Sequence, residues 1–117
     1  MATLIEDIQA LLEPLATGGC HYGACLTQPA PDEYIVWLRV VSLPNVTFDG
    51  PSDLQNTRIQ VDTIATTVQR AAALADIVSS TLVNSAITVV PLETQDMFEE
   101  DVRRWRVVSD FSVWAKN

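Results

Sequence analysis

Tyr34-Ile35-Val36-Trp37-Leu38-Arg39-Val40-Val41 is a dense run of β-branched and aromatic residues, and it reads as a strand. The polar stretch Pro44-Asn45-Val46-Thr47-Phe48-Asp49-Gly50-Pro51-Ser52-Asp53-Leu54 follows. Then Arg58-Ile59-Gln60-Val61-Asp62-Thr63-Ile64-Ala65 alternates apolar and polar residues over most of its length, the pattern of a half-buried strand. The intervening stretch is too long for a two-residue hairpin turn. It is therefore expected to be an oversized connector. Ordered connectors of that length usually bind something. Nothing in the stretch is placed for catalysis, so the reading is of a chain that joins other proteins.

Helices flank this pair. Leu4, Ile5, Ile8, Leu11, Leu12 and Leu15 recur at helical spacing. Thr3 and Glu6 have the spacing of a capping box, and Gly18-Gly19 stop the run. Residues 17–32 read as a loop, with a short extended piece at Ala24-Cys25-Leu26. A second helix is expected over Thr67 to Val83, capped by Thr66 with Gln69 three residues on. Its buried stripe is expected to be Val68, Ala71, Ala72, Ala75, Val78 and Leu82. The alanines allow close approach to a sheet.

Ala86 to Leu92 reads as a short edge strand, because Pro91 removes a ladder donor. Glu93 to Asp101, which contains Met97 and Phe98, reads as a second exposed connector. Val102 to Ala115 reads as a long strand. Trp105, Val107, Ser109, Phe111 and Val113 fall on one face; Arg104, Arg106, Val108, Asp110, Ser112 and Trp114 fall on the other. The order helix, strand, strand, helix, strand, strand has no βαβ alternation. It predicts an α+β domain with a mostly antiparallel sheet and two helices packed on one face.

The bulk numbers agree. A chain of 117 residues is expected to be a single domain over 1–117. A hydrophobic fraction of 48% suits a packed core. No apolar run reaches the ~18 residues that suggest a membrane span. The acidic N-terminus lacks the basic segment of a secretory signal, so a soluble cytoplasmic product is expected. The net charge is −8, with no basic stripe, which argues against duplex nucleic acid as a ligand. An acidic surface can keep a protein soluble, or line a passage through which DNA moves without sticking.

Catalysis needs convergent groups, and neither a phosphate loop nor a supported Ser-His-Asp set is present. No enzyme activity, cofactor or metal is expected. Cys20-His21-Tyr22-Gly23-Ala24-Cys25 invites a metal reading. However, four residues separate the thiols, His21 is the only histidine, and there is no second pair. The acids Glu99, Glu100 and Asp101 precede Arg103, Arg104 and Arg106. They form either a solvated turn before a strand or a charge-complementary edge that meets a neighbouring copy. Trp105 and Trp114 lie on opposite strand faces. Both are core only if a partner chain covers the face that the helices leave open.

Four passages taken in order resemble the tail-completion (tail terminator) proteins of long-tailed bacteriophages and related prophages. They are Pro31-Asp32-Glu33-Tyr34-Ile35-Val36; Thr47 to Leu54 with Arg58-Ile59-Gln60-Val61-Asp62; Ala71-Ala72-Ala73-Leu74-Ala75-Asp76-Ile77-Val78; and Trp105 to Trp114. The likeness spans essentially the whole chain. The cysteine loop is outside it. The resemblance implies a small α+β subunit that forms a ring, commonly a hexamer, at the head-proximal end of the tail tube. Such a ring ends tube polymerisation and offers a face to the head connector while DNA passes through its centre. Its implied partners are further copies of itself, the major tail tube protein and the head-completion or connector protein, with no membrane. Its implied location is the tail–head junction of the virion, and the host cytoplasm during assembly.

Carried onto this chain, the resemblance makes Phe48 to Leu54 a projecting contact loop. Asp49 and Asp53 are its charged contacts, and Gly50 and Pro51 fix its turn. Glu99, Glu100, Arg104 and Arg106 complete the expected interface. Two other readings stay open: a head–tail neck adaptor, and a small dimeric module holding a metal through Cys20, His21 and Cys25.

Overall fold

The computed structural model describes residues 4–25, 31–47, 50–100 and 103–116. Helix α1 is Leu4–Leu12, followed by a 3-10 turn, Glu13–Leu15. Strand β1 is Cys20–Tyr22, β2 is Glu33–Thr47 and β3 is Gly50–Ala65. Helix α2 is Val68–Val83, and strands β4 and β5 are Thr88–Glu99 and Arg104–Lys116. The sheet has the order β1-β2-β3-β5-β4. Only β1–β2 is parallel; β2–β3, β3–β5 and β5–β4 are antiparallel. Strands β3 and β4 therefore run the same way. Helix α2 carries the chain from one to the other, and β5 returns between them. The fold is α+β, as expected.

Both helices lie on one face. Ile8 and Leu12 of α1 and Leu74, Val78 and Leu82 of α2 pack on Ile35, Trp37, Ile59, Val61, Val89, Phe111 and Val113. Each large side chain in that layer contributes roughly 1.5–3 kcal/mol by leaving water. The alternation along β5 is as expected: Val107, Ser109, Phe111 and Val113 are buried beneath the helices, while the residues between them are half-exposed. Gln9 ties α1 to the sheet. Its amide accepts from Trp37 Nε1 at 2.8 Å and donates to the Cys20 carbonyl at 2.7 Å. Helix α2 sits close to the sheet through Ala71 and Ala75. Thr63 Oγ1 donates to the Ala71 carbonyl at 3.0 Å across that contact.

Several expectations are corrected. The cap of α2 is Thr67, whose side chain accepts from the Arg70 N–H, and not Thr66. Leu74 belongs to the buried stripe and Ala72 is exposed, because the helix is rotated toward its bulkier residue. Thr3 lies outside the described residues, so its capping box does too. The strand after α1 is Cys20–Tyr22 and not Ala24-Cys25; Leu26 lies outside the described residues. Gly18 makes that strand possible. Its N–H donates to the Glu33 carbonyl at 2.8 Å, and a Cβ there would stand 2.1 Å from the same oxygen. The expected connector after Leu92 is instead the second half of β4, paired with β5 as far as Glu99↔Arg104.

Candidate protein interface

The largest difference concerns the expected connector between β2 and β3. The two strands continue through it as a ribbon, with pairs at Pro44↔Gln55, Val46↔Pro51 and Thr47↔Gly50. Irregularities after Arg39 and after Pro44 absorb the prolines and polar residues that argue against a strand in the sequence. Gly50, Pro51, Asp53 and Leu54 therefore belong to β3, not to a loop. Phe48 and Asp49 lie outside the described residues. Strand β5 follows β3 out to Leu54↔Lys116. Beyond that, β2 and β3 pair only with each other.

The last β3 side chain described as buried is Thr57, opposite Val113 of the helix-packed core. At about 3.3 Å per residue, the run from Thr57 to Gly50 extends roughly 23 Å, and the part beyond the last β5 pair at Leu54 roughly 13 Å. The molecule accordingly measures 51 × 28 × 24 Å. A two-stranded ribbon is marginal in water without a partner surface.

The second group of expected residues lies on the sheet face away from the helices. Arg106 Nη1 donates to Asp62 Oδ2, and Arg106 Nε stands 2.6 Å from Glu99 Oε1. Gln60 Nε2 donates to Asp62 Oδ1 at 3.1 Å. The network spans β3, β5 and the edge strand β4. Asp62 is only 5% exposed. Burial raises its pKa, and this outweighs the opposing charge and hydrogen bond of Arg106. Arg104 Nε donates to the Pro31 carbonyl at 3.3 Å, with Asp32 3.7 Å away. Glu100 is exposed. Thus Glu99, Arg104 and Arg106 already have partners within their own chain. Glu33 pairs with Arg70 of α2, and that hydrogen bond holds its carboxyl below the usual range.

Cys20, His21 and Cys25 do not converge. Cys20 is in the core beneath the helices, whereas Cys25 packs with Tyr34, Val36 and Ile64 on the opposite face. Burial, helped by Glu13, pushes the Cys20 thiol up to about 12. His21 Nε2 is 3.0 Å from the Gly18 carbonyl. No group of ligand side chains with metal-site geometry occurs among the described residues. Nor is any described helix long and apolar enough to cross a membrane.

Sequence reasoning placed Ala86 to Leu92 at a sheet edge, where the first half of β4 lies, but missed the second half of β4 and the short strand β1 at the other edge. Strand β4 exposes Val90, Leu92, Met97 and Phe98. Phe98 leans on Trp105, with ring centroids 5.0 Å apart. At the other edge, Tyr22 and Val40 are exposed, and Tyr22 meets Trp37 edge-on at 4.9 Å. Thr94 to Glu99 has no apolar–polar alternation, since Met97 and Phe98 are adjacent, so the sequence carries no periodic signal that extends β4.

The family model described as "Tail completion protein gp17" matches residues 6–116. Among solved structures, a chain from the "Virion of native gene transfer agent (GTA) particle" shares the fold, with a TM-score of 0.60 and 21% identity. That match covers 99% of this chain and 87% of the other. Comparison with curated proteins finds no match.

Proposed function

The chain belongs to the tail completion protein gp17 family, and from that membership we propose that it caps the head-proximal end of a phage tail tube. In this reading several copies, six by the family resemblance, close into a ring. The ring ends tube polymerisation and presents its far face to a head-completion or connector protein. DNA passes through the centre without specific binding, and the net charge of −8 suits a passage that does not retain it. The protein acts through its surfaces and not by catalysis, at the junction of head and tail.

The observation that carries this reading is the β2–β3 ribbon. It extends past the last β5 pair, Leu54↔Lys116, to stretches where β2 and β3 pair with each other. An arm of that kind is suited to reach a neighbouring subunit or the tube beneath. Gly50, Pro51, Asp53 and Leu54 lie on its returning strand, and Phe48 and Asp49 join them as expected contacts by the family resemblance. The likeness to a chain of a phage-like particle supports the same setting.

Mass photometry with negative-stain imaging tests the proposal, on the protein alone and mixed with tail tubes. Closed rings in solution, or rings seated on one tube end, are the expected result. A strict monomer that leaves tube ends bare would contradict it.

A further inference from the structure

The sheet has two open edges of different character. Strand β4 is the outer strand on one side. On the other side, β1 covers β2 only at Ile35, Val36 and Trp37, and the Tyr22 hydroxyl accepts from the Arg39 N–H at 3.3 Å. Past that point no described strand pairs with the outer side of β2. Six large exposed apolar side chains sit at these two edges, against two, Ile77 and Val83, on α2, among the residues whose side chains are described. The six are Val90, Leu92, Met97 and Phe98 on β4, and Tyr22 and Val40 opposite.

The charges are complementary. Strand β4 carries Glu93, Asp96 and Glu99 and no basic residue. The β2 edge presents Arg39, which is exposed and has no described carboxylate in ion-pair range. Two β4 strands facing each other would bring together the acids of both copies with no basic residue on either strand to answer them. A symmetric dimer through β4 is therefore disfavoured, and pairing with the opposite edge is not. Pro91, which has no N–H to donate, and the irregularity between Pro91 and Thr94 leave Thr94–Glu99 as the longer regular segment of β4. That segment is about 20 Å of strand.

We propose that the β4 edge of one copy, at Thr94–Glu99, docks beside the β2 edge of the next copy around Arg39 and Val40. The contact is head-to-tail, the kind that generates a ring when its rotation closes. It rests on the ring reading above and names the surfaces that build the ring. The Asp62–Arg106–Glu99 network ties this edge strand to β5 and β3.

The test uses full-length protein with Cys25→Ser, leaving the buried Cys20 in place, and carrying either Met97→Cys or Val40→Cys. Circular dichroism checks each variant for the parent fold, and both altered positions are exposed. A short bismaleimide is added to each variant alone and to an equimolar mixture. The proposal expects linked dimers in the mixture and not in either variant alone. It expects a covalent ladder when one chain carries both cysteines. Arg39→Glu should weaken self-association by about tenfold or more, because it sets like charges together. Linked dimers of Met97→Cys alone would overturn the proposal in favour of a symmetric contact. Rings that form without the expected crosslink would overturn the named edges and leave the ring reading standing. A chain that is monomeric at every concentration and on tubes would remove both.

Discussion

Replacing Arg106 by Met tests whether the charge network on the open sheet face is a structural element. The substitution removes the guanidinium between Asp62 and Glu99 while keeping much of the stem. Glu99 is 35% exposed at its side chain and returns to water at little cost. Asp62 cannot: its side chain is 6% exposed, and Gln60 is the hydrogen-bond donor left to it by this network. Stranding a buried charge of that kind costs about 3–5 kcal/mol. For a domain of this size that corresponds to a melting temperature lower by roughly 12–20 °C.

The double variant Asp62→Leu/Arg106→Met leaves no charge stranded and should recover most of the loss. The pH dependence has a definite sign. Burial already holds the Asp62 pKa above its unfolded value, and removing Arg106 raises it further. The native state then keeps a proton that the unfolded state releases. The stability of Arg106→Met should therefore be closest to the parent at low pH, and the deficit should grow as pH rises through the raised value. Urea unfolding of the four members of the cycle at pH 4 and pH 7 gives both quantities. A single variant that loses less than about 1 kcal/mol, or a deficit that shrinks on raising the pH, would refute the assignment of Asp62 as a buried charge that depends on Arg106.

Three further outcomes are expected. Reversing Asp49 and Asp53 to lysine should leave the circular dichroism spectrum and melting temperature unchanged while impairing tail assembly; unchanged assembly would remove the ribbon tip from the interface. Gly18→Ala should lower stability by about 1–3 kcal/mol in denaturant unfolding, because the new methyl group overlaps the Glu33 carbonyl and Pro31. In native protein at pH 8 the Cys20 thiol should resist a thiol reagent that reacts with it on unfolding, since burial keeps it protonated until about pH 12. Its contribution to stability should fall as pH rises from its ordinary value of 9.0 toward that point.

The fold class was legible because two signals repeat locally. Helical spacing in Ile8 and Leu12, and period-two alternation from Val107 to Val113, each report one buried face. The ribbon was not legible, because Pro44, Asn45, Gly50 and Pro51 carry turn chemistry in sequence, yet the strands absorb them by shifting register. Long-range pairing decided that outcome, and local propensity cannot report it. The second half of β4 was hidden for a related reason. Edge strands face water on both sides, so Glu93 to Glu99 lacks the apolar period of a core strand. Glu99 and Arg106 stood out in sequence only as members of adjacent acidic and basic clusters, expected to face solvent or a neighbouring copy; their link within one chain depends on β4 lying beside β5, and that to Asp62 on β3 lying beside β5. Cys20 and Cys25 are close in sequence and lie on opposite faces of the sheet, a separation that spacing alone does not reveal.

The growth of tail tubes from purified tube subunits offers the most direct examination of the whole picture. Added during polymerisation, this chain should arrest elongation and leave a ring on one end of each tube in electron micrographs. Tubes that reach the same lengths with and without it, and bear no ring, would contradict its assignment as the piece that ends the tail.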